Sequence, residues 1–139
     1  MASGAHPDAR LVSVERDPER AAAAASVFRR LPSVRVRPDQ WSELRAFAPF
    51  DMLILDGGGQ GKGEEPPLDP ADWLNPGGLL VIDDFTPLTG WPPTFAGHVD
   101  TVRRHWLDHP QLRATQVNVT PDQATILATY IGEKAIRNP

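Results

Sequence analysis

Along the chain, short apolar runs alternate with breaks rich in proline, glycine and acidic residues, a pattern that predicts alternating strands and helices. Leu11 to Glu15 (LVSVE) has the valine and leucine content of a short strand. Asp17 then offers an N-cap, Pro18 suits the first helical position, and Glu19 favours the positive end of the helix dipole. Ala21, Ala24, Ala25, Phe28 and Leu31 recur at helical spacing, Arg29 and Arg30 fall in the expected last turn, and Pro32 stops the helix. Val34 to Arg37 predicts a second strand, followed by a brief helical turn through Leu44.

Met52 to Leu55, ending in Asp56, and Leu79 to Ile82, ending in Asp83 and Asp84, are unbroken apolar runs of strand length. Such runs are expected to be buried on both faces, as in a parallel sheet held between helices. Gly57 to Pro67 reads as a loop and Pro70 to Leu74 as a short helix. Phe95, Val99, Val102 and Trp106 predict one amphipathic helix. Leu112 to Val119 and Ala124 to Ile131, joined by a short polar connector, predict an antiparallel hairpin. The resulting order, β-α-β-α-β-α-β-α-β-β, predicts a three-layer α/β domain over residues 10–132, mostly parallel with an antiparallel hairpin at its end. Residues 1–9 and 133–139 are expected to be tails.

With 139 residues, 40% hydrophobic and 23% charged, the chain suits one globular domain. No run approaches the roughly 18 apolar residues of a membrane span, and the N-terminus lacks the pattern of a secretory signal. The absence of cysteine excludes thiol catalysis and thiolate metal sites. Fourteen basic against eighteen acidic side chains leave a net charge of −4, a poor match for a phosphate backbone. The expectation is a soluble cytoplasmic protein with neither membrane nor nucleic acid as partner.

Ligands of open α/β sheets gather outside the carboxyl ends of the strands. Here those ends carry Glu15, Asp39, Asp56, Asp83 and Asp84. A carboxylate at a strand tip can accept the hydroxyls of a ribose, and several together can hold a hard cation such as Mg²⁺. Any one of them alone is better explained as a cap on the following helix; the set of five points to a site.

The segments Ser13 to Glu19 (SVERDPE), Phe50 to Gly59 (FDMLILDGGG), Leu74 to Phe85 (LNPGGLLVIDDF) and the terminal hairpin resemble class I S-adenosylmethionine-dependent methyltransferases, most nearly the O-methyltransferase branch. The resemblance runs from about residue 10 to residue 132 and implies a Rossmann-like methyltransferase sheet. It implies that Glu15, with Arg16, binds the cofactor's ribose hydroxyls and that Asp39, Gln40 and Trp41 lie against the adenine. It implies further that Asp56 and Gly57 face the methionine end, with Asp56 as the catalytic residue beside the reacting methyl group. Asp56, Asp83 and Asp84 match the positions that bind Mg²⁺ in catechol-type relatives, where the metal clamps the acceptor and eases deprotonation of its hydroxyl. The implied activity is transfer of a methyl group to the hydroxyl of a small molecule. The alternative is a non-catalytic, degenerate module of this fold that serves in binding or assembly.

Two departures stand out. Asp39-Gln40 occupies the adenine position where many relatives have Gly-Asp. The family also opens with a strand, a glycine-rich turn and a helix, whereas no such turn precedes Leu11 and residues 1–10 are too few for a strand plus a helix. The expected sheet is therefore truncated at its front, or the natural chain starts further upstream. Loss of a central strand would leave about four backbone groups unpaired along Met52 to Leu55, each costing roughly 1–3 kcal/mol if buried. Either the Leu11 strand pairs directly with the Met52 strand, or a second copy covers the gap, so a homodimer is expected.

Other features carry less. The loop Gly57 to Gly63 lacks phosphate-loop spacing, since Asp56 and Gly63 stand where Gly and Ser or Thr are required. Lys62 within it is a candidate base, further past Asp56 than the family pattern places one. His105 and His109, four apart, fit a helix C-terminus better than a metal site. Trp73 and Trp106 read as core, while Trp91 reads equally as filler or as the wall of a substrate pocket.

Overall fold

The computed structural model describes residues 6–132, which fall into two compact units divided between Phe47 and Ala48. In the first unit, β1 (Leu11–Val14) leads into α1 (Pro18–Phe28) and then β2 (Val34–Arg37). The two strands run parallel, with Leu11 opposite Val34 and Val14 opposite Arg37. Asp17 caps α1 by accepting from the amides of Glu19 at 2.9 Å and Arg20 at 3.1 Å, satisfying two of the helix's free donors. The helix ends sooner than expected: Arg29 is its C-cap, and no basic residue lies in the last turn. Of the apolar stripe only Ala21 is buried, with Ala24, Ala25 and Phe28 half-buried and Leu31 exposed. A 3-10 helix, Trp41–Phe47, completes the unit.

The second unit is a four-stranded sheet in the order β3-β4-β8-β7. It is built from β3 (Phe50–Leu55), β4 (Leu74–Phe85), β7 (Leu112–Asn118) and β8 (Ala124–Tyr130), with a separate two-stranded ribbon of β5 (Thr94–Phe95) and β6 (His98–Val99). β3 and β4 are parallel, while β8 is antiparallel to both β4 and β7. The sheet is thus mixed, where mostly parallel pairing was expected, although the terminal hairpin pairs as its short connector requires. The α2 turn (Pro70–Trp73) is capped by Asp69, and α3 (Thr101–Leu107) by Asp100. Among the described residues β3 is an edge strand of its sheet, and β1 takes β2 as its partner.

Two expectations are corrected. Burial alternates through the middle of the sheet: Leu53, Leu55, Leu80, Ile82, Ile126 and Ala128 lie in the core, while Met52, Ile54, Leu79 and Leu127 remain 40–48% exposed. Continuous apolar sequence therefore reflects a sheet with one deeply packed face and an apolar outer face, not burial on both. The helix expected to start at Phe95 begins only at Thr101. Phe95 and Val99 belong to β5 and β6, whose connecting residues Ala96 and Gly97 have φ of +50° and +82°, a left-handed pair that ends any helical run and forms a tight hairpin. Trp106 is fully buried and its indole donates to the Gln60 carbonyl at 2.9 Å, joining α3 to the loop after β3.

Candidate metal and cofactor site

In the parallel β3–β4 pair Leu55 stands opposite Ile82, so the next residue on each strand is an acid at the carboxyl end of the sheet. Asp56 lies two residues on from Ile54, and Asp83 two on from Val81, so both fall on the outward side of the pleat. Alternation alone would turn Asp84 inward. Instead the β4–β8 register shifts between Ile82 and Phe85, where Asp83 and Asp84 together oppose Thr125, a β-bulge. Asp84 takes φ +63°, rare for a residue with a side chain. One carboxylate oxygen each from Asp56, Asp83 and Asp84 then lies within 4.8 Å of the others, and all three residues are exposed. Asp83 accepts from the Thr125 hydroxyl at 2.8 Å. That bond, reinforced by the Asp84 amide, holds the Asp83 carboxyl below its ordinary range.

The loop leaving Asp56 is tied back onto this end. Gly57 adopts φ +150°, a region open essentially to glycine, which lets the chain turn away directly after the acid. The buried Gln60 side chain donates to the Leu55 carbonyl at 2.7 Å and more weakly to the Asp83 carbonyl at 3.5 Å. Lys62 Nζ donates to the carbonyls of Asp83 at 2.6 Å and Asp84 at 2.7 Å, and lies 4.2 Å from the centre of the Phe85 ring. Desolvation lowers the pKa of this ammonium, and the Asp84 and Asp83 charges oppose the shift. Arg103, 1% exposed, flanks the same ring at 5.3 Å, pairs with Asp100 at 3.1 Å and donates to the Thr86 carbonyl and hydroxyl. Gln60 and Arg103 escaped sequence reasoning. The one available signal was a glutamine among glycines, Gly57 to Gly61, where a loop that only exposed itself would need no amide.

In residues 6–47 the structure brings Glu15 and Asp39 to the carboxyl end of the β1–β2 pair. Glu15 continues that ladder by donating its amide to the Arg37 carbonyl at 3.0 Å, and its carboxylate accepts from the Asp17 amide at 2.8 Å. Asp39 forms an ion pair with Arg37 at 2.6 Å. Arg16 and Gln40 are exposed and Trp41 is half-buried. The five strand-end acids thus fall into two described groups, Glu15 with Asp39, and Asp56 with Asp83 and Asp84.

Three carboxylates are the hard oxygen donors that Mg²⁺ prefers, and their exposure leaves room for the waters it retains. Oxygens on one Mg²⁺ lie at most about 4.2 Å apart, given bonds of about 2.1 Å, so a small inward rotation of exposed side chains suffices. The residues fit the ion. Trp91, 57% exposed, lines a groove of about 560 Å³ with Leu88, Leu107 and Gln116, and none of the three acids borders it. His105 and His109 form a cluster with Trp106, and burial lowers both their pKa values in spite of the Asp69 charge. No helix of the described residues is long and apolar enough to cross a membrane.

No protein-family model matches the chain, and no curated protein matches it. Among solved structures it is similar to an SAH-bound Podospora anserina methyltransferase, PaMTH1, with a TM-score of 0.54 and 15% identity. The match covers 84% of this chain and 59% of that one. The mixed α/β arrangement of this chain is therefore a methyltransferase-like fold.

Proposed function

We propose that this protein is an S-adenosylmethionine-dependent methyltransferase acting on the hydroxyl of a small molecule, with Asp56, Asp83 and Asp84 as the ligands of a Mg²⁺ ion. The observation that carries this reading is the gathering of those three carboxylates at the carboxyl ends of β3 and β4 in a methyltransferase-like fold. S-adenosylmethionine supplies an electrophilic methyl group, and a divalent cation supplies Lewis acidity that makes an acceptor hydroxyl easier to deprotonate. The chain's own residues bind and orient. Glu15, beside Arg16, accepts from the ribose hydroxyls; Asp39, Gln40 and Trp41 take the adenine; Asp56 and Gly57 meet the methionine end. Methyl transfer is an in-line displacement, so holding the two partners in line accounts for most of the rate.

Calorimetric titration with S-adenosylmethionine and with its demethylated product, with and without Mg²⁺, tests the proposal. Measurable binding of both is expected, with Glu15→Ala weakening it; no heat at about millimolar ligand retires the enzyme reading. Unchanged affinity in Glu15→Ala would instead retire the ribose role alone. A second reading, a non-catalytic assembly module, is favoured by the exposed apolar row of Met52, Ile54, Leu79 and Leu127. Under either reading we propose a homodimer in which a second copy covers this row and the edge of β3 that has no strand partner among the described residues, since a two-fold pairing of the same strand satisfies both copies at once.

A further inference from the structure

In a regular strand successive side chains leave opposite faces of the sheet, and successive carbonyls leave opposite edges of the strand. A pair such as Asp83-Asp84 should then give one carboxylate to a site at the sheet's end and turn the other away. The structure departs from this at the bulge, and Lys62 marks the departure: one ammonium accepts no bonds but donates to both carbonyls, at 2.6 Å and 2.7 Å. Two adjacent carbonyls can reach a single nitrogen only where their alternation is broken. The break is the left-handed Asp84, φ +63°, and the two-against-one register opposite Thr125. Left-handed backbone is uncommon at a residue with a side chain, and surrounding contacts are what hold it there.

We infer that Lys62 is a positioning residue for the acidic cluster: it clamps the carbonyls of Asp83 and Asp84, holds Asp84 left-handed, and so delivers two consecutive carboxylates to Asp56. The Phe85 ring beneath the ammonium and the Gln60 amide, which reaches both the Leu55 and the Asp83 carbonyls, complete the clamp. Lys62 touches none of the three carboxylates in these bonds; it acts through the main chain. The inference rests on the proposed cation site only in its consequence for metal affinity, and its conformational half stands apart from that reading.

The experiment compares wild type with Lys62→Met, which keeps length and contact with Phe85, and Lys62→Arg, which keeps charge and donors. The first readout is the strong intraresidue amide–Hα cross-peak by which NMR marks a left-handed residue at Asp84, measured without metal. The second is Mn²⁺ affinity, followed by loss of the free-ion electron-spin signal. Lys62→Met is expected to lose the cross-peak and to bind Mn²⁺ roughly 10–100-fold more weakly, while Lys62→Arg retains both. A cross-peak that survives in Lys62→Met overturns the inference, whether or not Mn²⁺ binding changes. Loss of the cross-peak with Mn²⁺ binding unaltered equally overturns the role in ligand positioning. If wild type binds no Mn²⁺ while the cross-peak depends on Lys62, the cation reading fails and the clamp stands.

Discussion

At Arg103 a whole guanidinium is enclosed, and its contacts tie two stretches together: Asp100 at the start of α3, and Phe85 with Thr86 at the end of β4. Removing it leaves Asp100 Oδ2 and the Thr86 carbonyl without this partner, while the main-chain amide at position 103 still donates to Asp100 Oδ1. Arg103→Ala should therefore destabilise the protein by roughly 3–5 kcal/mol, read as a shift in the urea midpoint. The histidines act through pH. Burial holds His105 and His109 below the ordinary 6.5, so the unfolded chain takes up protons before the folded one does. Their contribution is complete above that pH and is lost as pH falls toward their lowered values. Denaturation midpoints should drop between pH 7.5 and pH 5.5, and by less in His109→Gln; a flat profile would contradict burial as the dominant influence on these rings.

Among the elements, the loop after β3 shows how glycine content is tied to geometry. Gly61 sits at φ +81°, and a Cβ there would lie 2.8 Å from Pro67 Cδ. Gly61→Ala should cost about 1–2 kcal/mol or more in denaturant unfolding, because both the backbone region and the space forbid the methyl group. The sheet makes a complementary prediction. Leu79 and Leu80 are neighbours of one type, 48% and 0% exposed. Leu80→Ala should cost roughly 2–5 kcal/mol, whereas Leu79→Ser should stay within about 0.5 kcal/mol in the monomer. Equal costs would mean that the outer row is packed after all. These elements were legible in part: β2 and the termini of the hairpin strands follow from valine-rich runs and turn residues, and Asp17-Pro18 announces α1. The β5–β6 ribbon was not, because Phe95, Val99, Val102 and Trp106 fit a helical period by coincidence and the Ala96-Gly97 turn between them outweighs that period.

For the molecule as a whole, the edge of β3, without a strand partner among the described residues, and the apolar row beside it bear on assembly. Under the proposed homodimer, sedimentation equilibrium should give twice the chain mass, and Ile54→Asp or Leu127→Asp should return the monomer without loss of helix or sheet signal. A wild-type chain that stays monomeric at high concentration would remove the second copy as the cover. The match to PaMTH1 takes in 84% of this chain and 59% of that one at 15% identity, so the likeness is one of fold.

The sequence by itself determined where strands end and which of them end in acid, because apolar runs, prolines and capping residues act locally. It also placed Asp56, Asp83 and Asp84 as a candidate set. Only the tertiary structure decided that both members of the Asp83-Asp84 pair reach one point, that a single face of the β3–β8 sheet is the core, and that Gln60, Lys62 and Arg103 converge on the end of β4. Those outcomes depend on cross-strand register and on contacts between residues as far apart as Gln60 and Trp106, which no local pattern encodes.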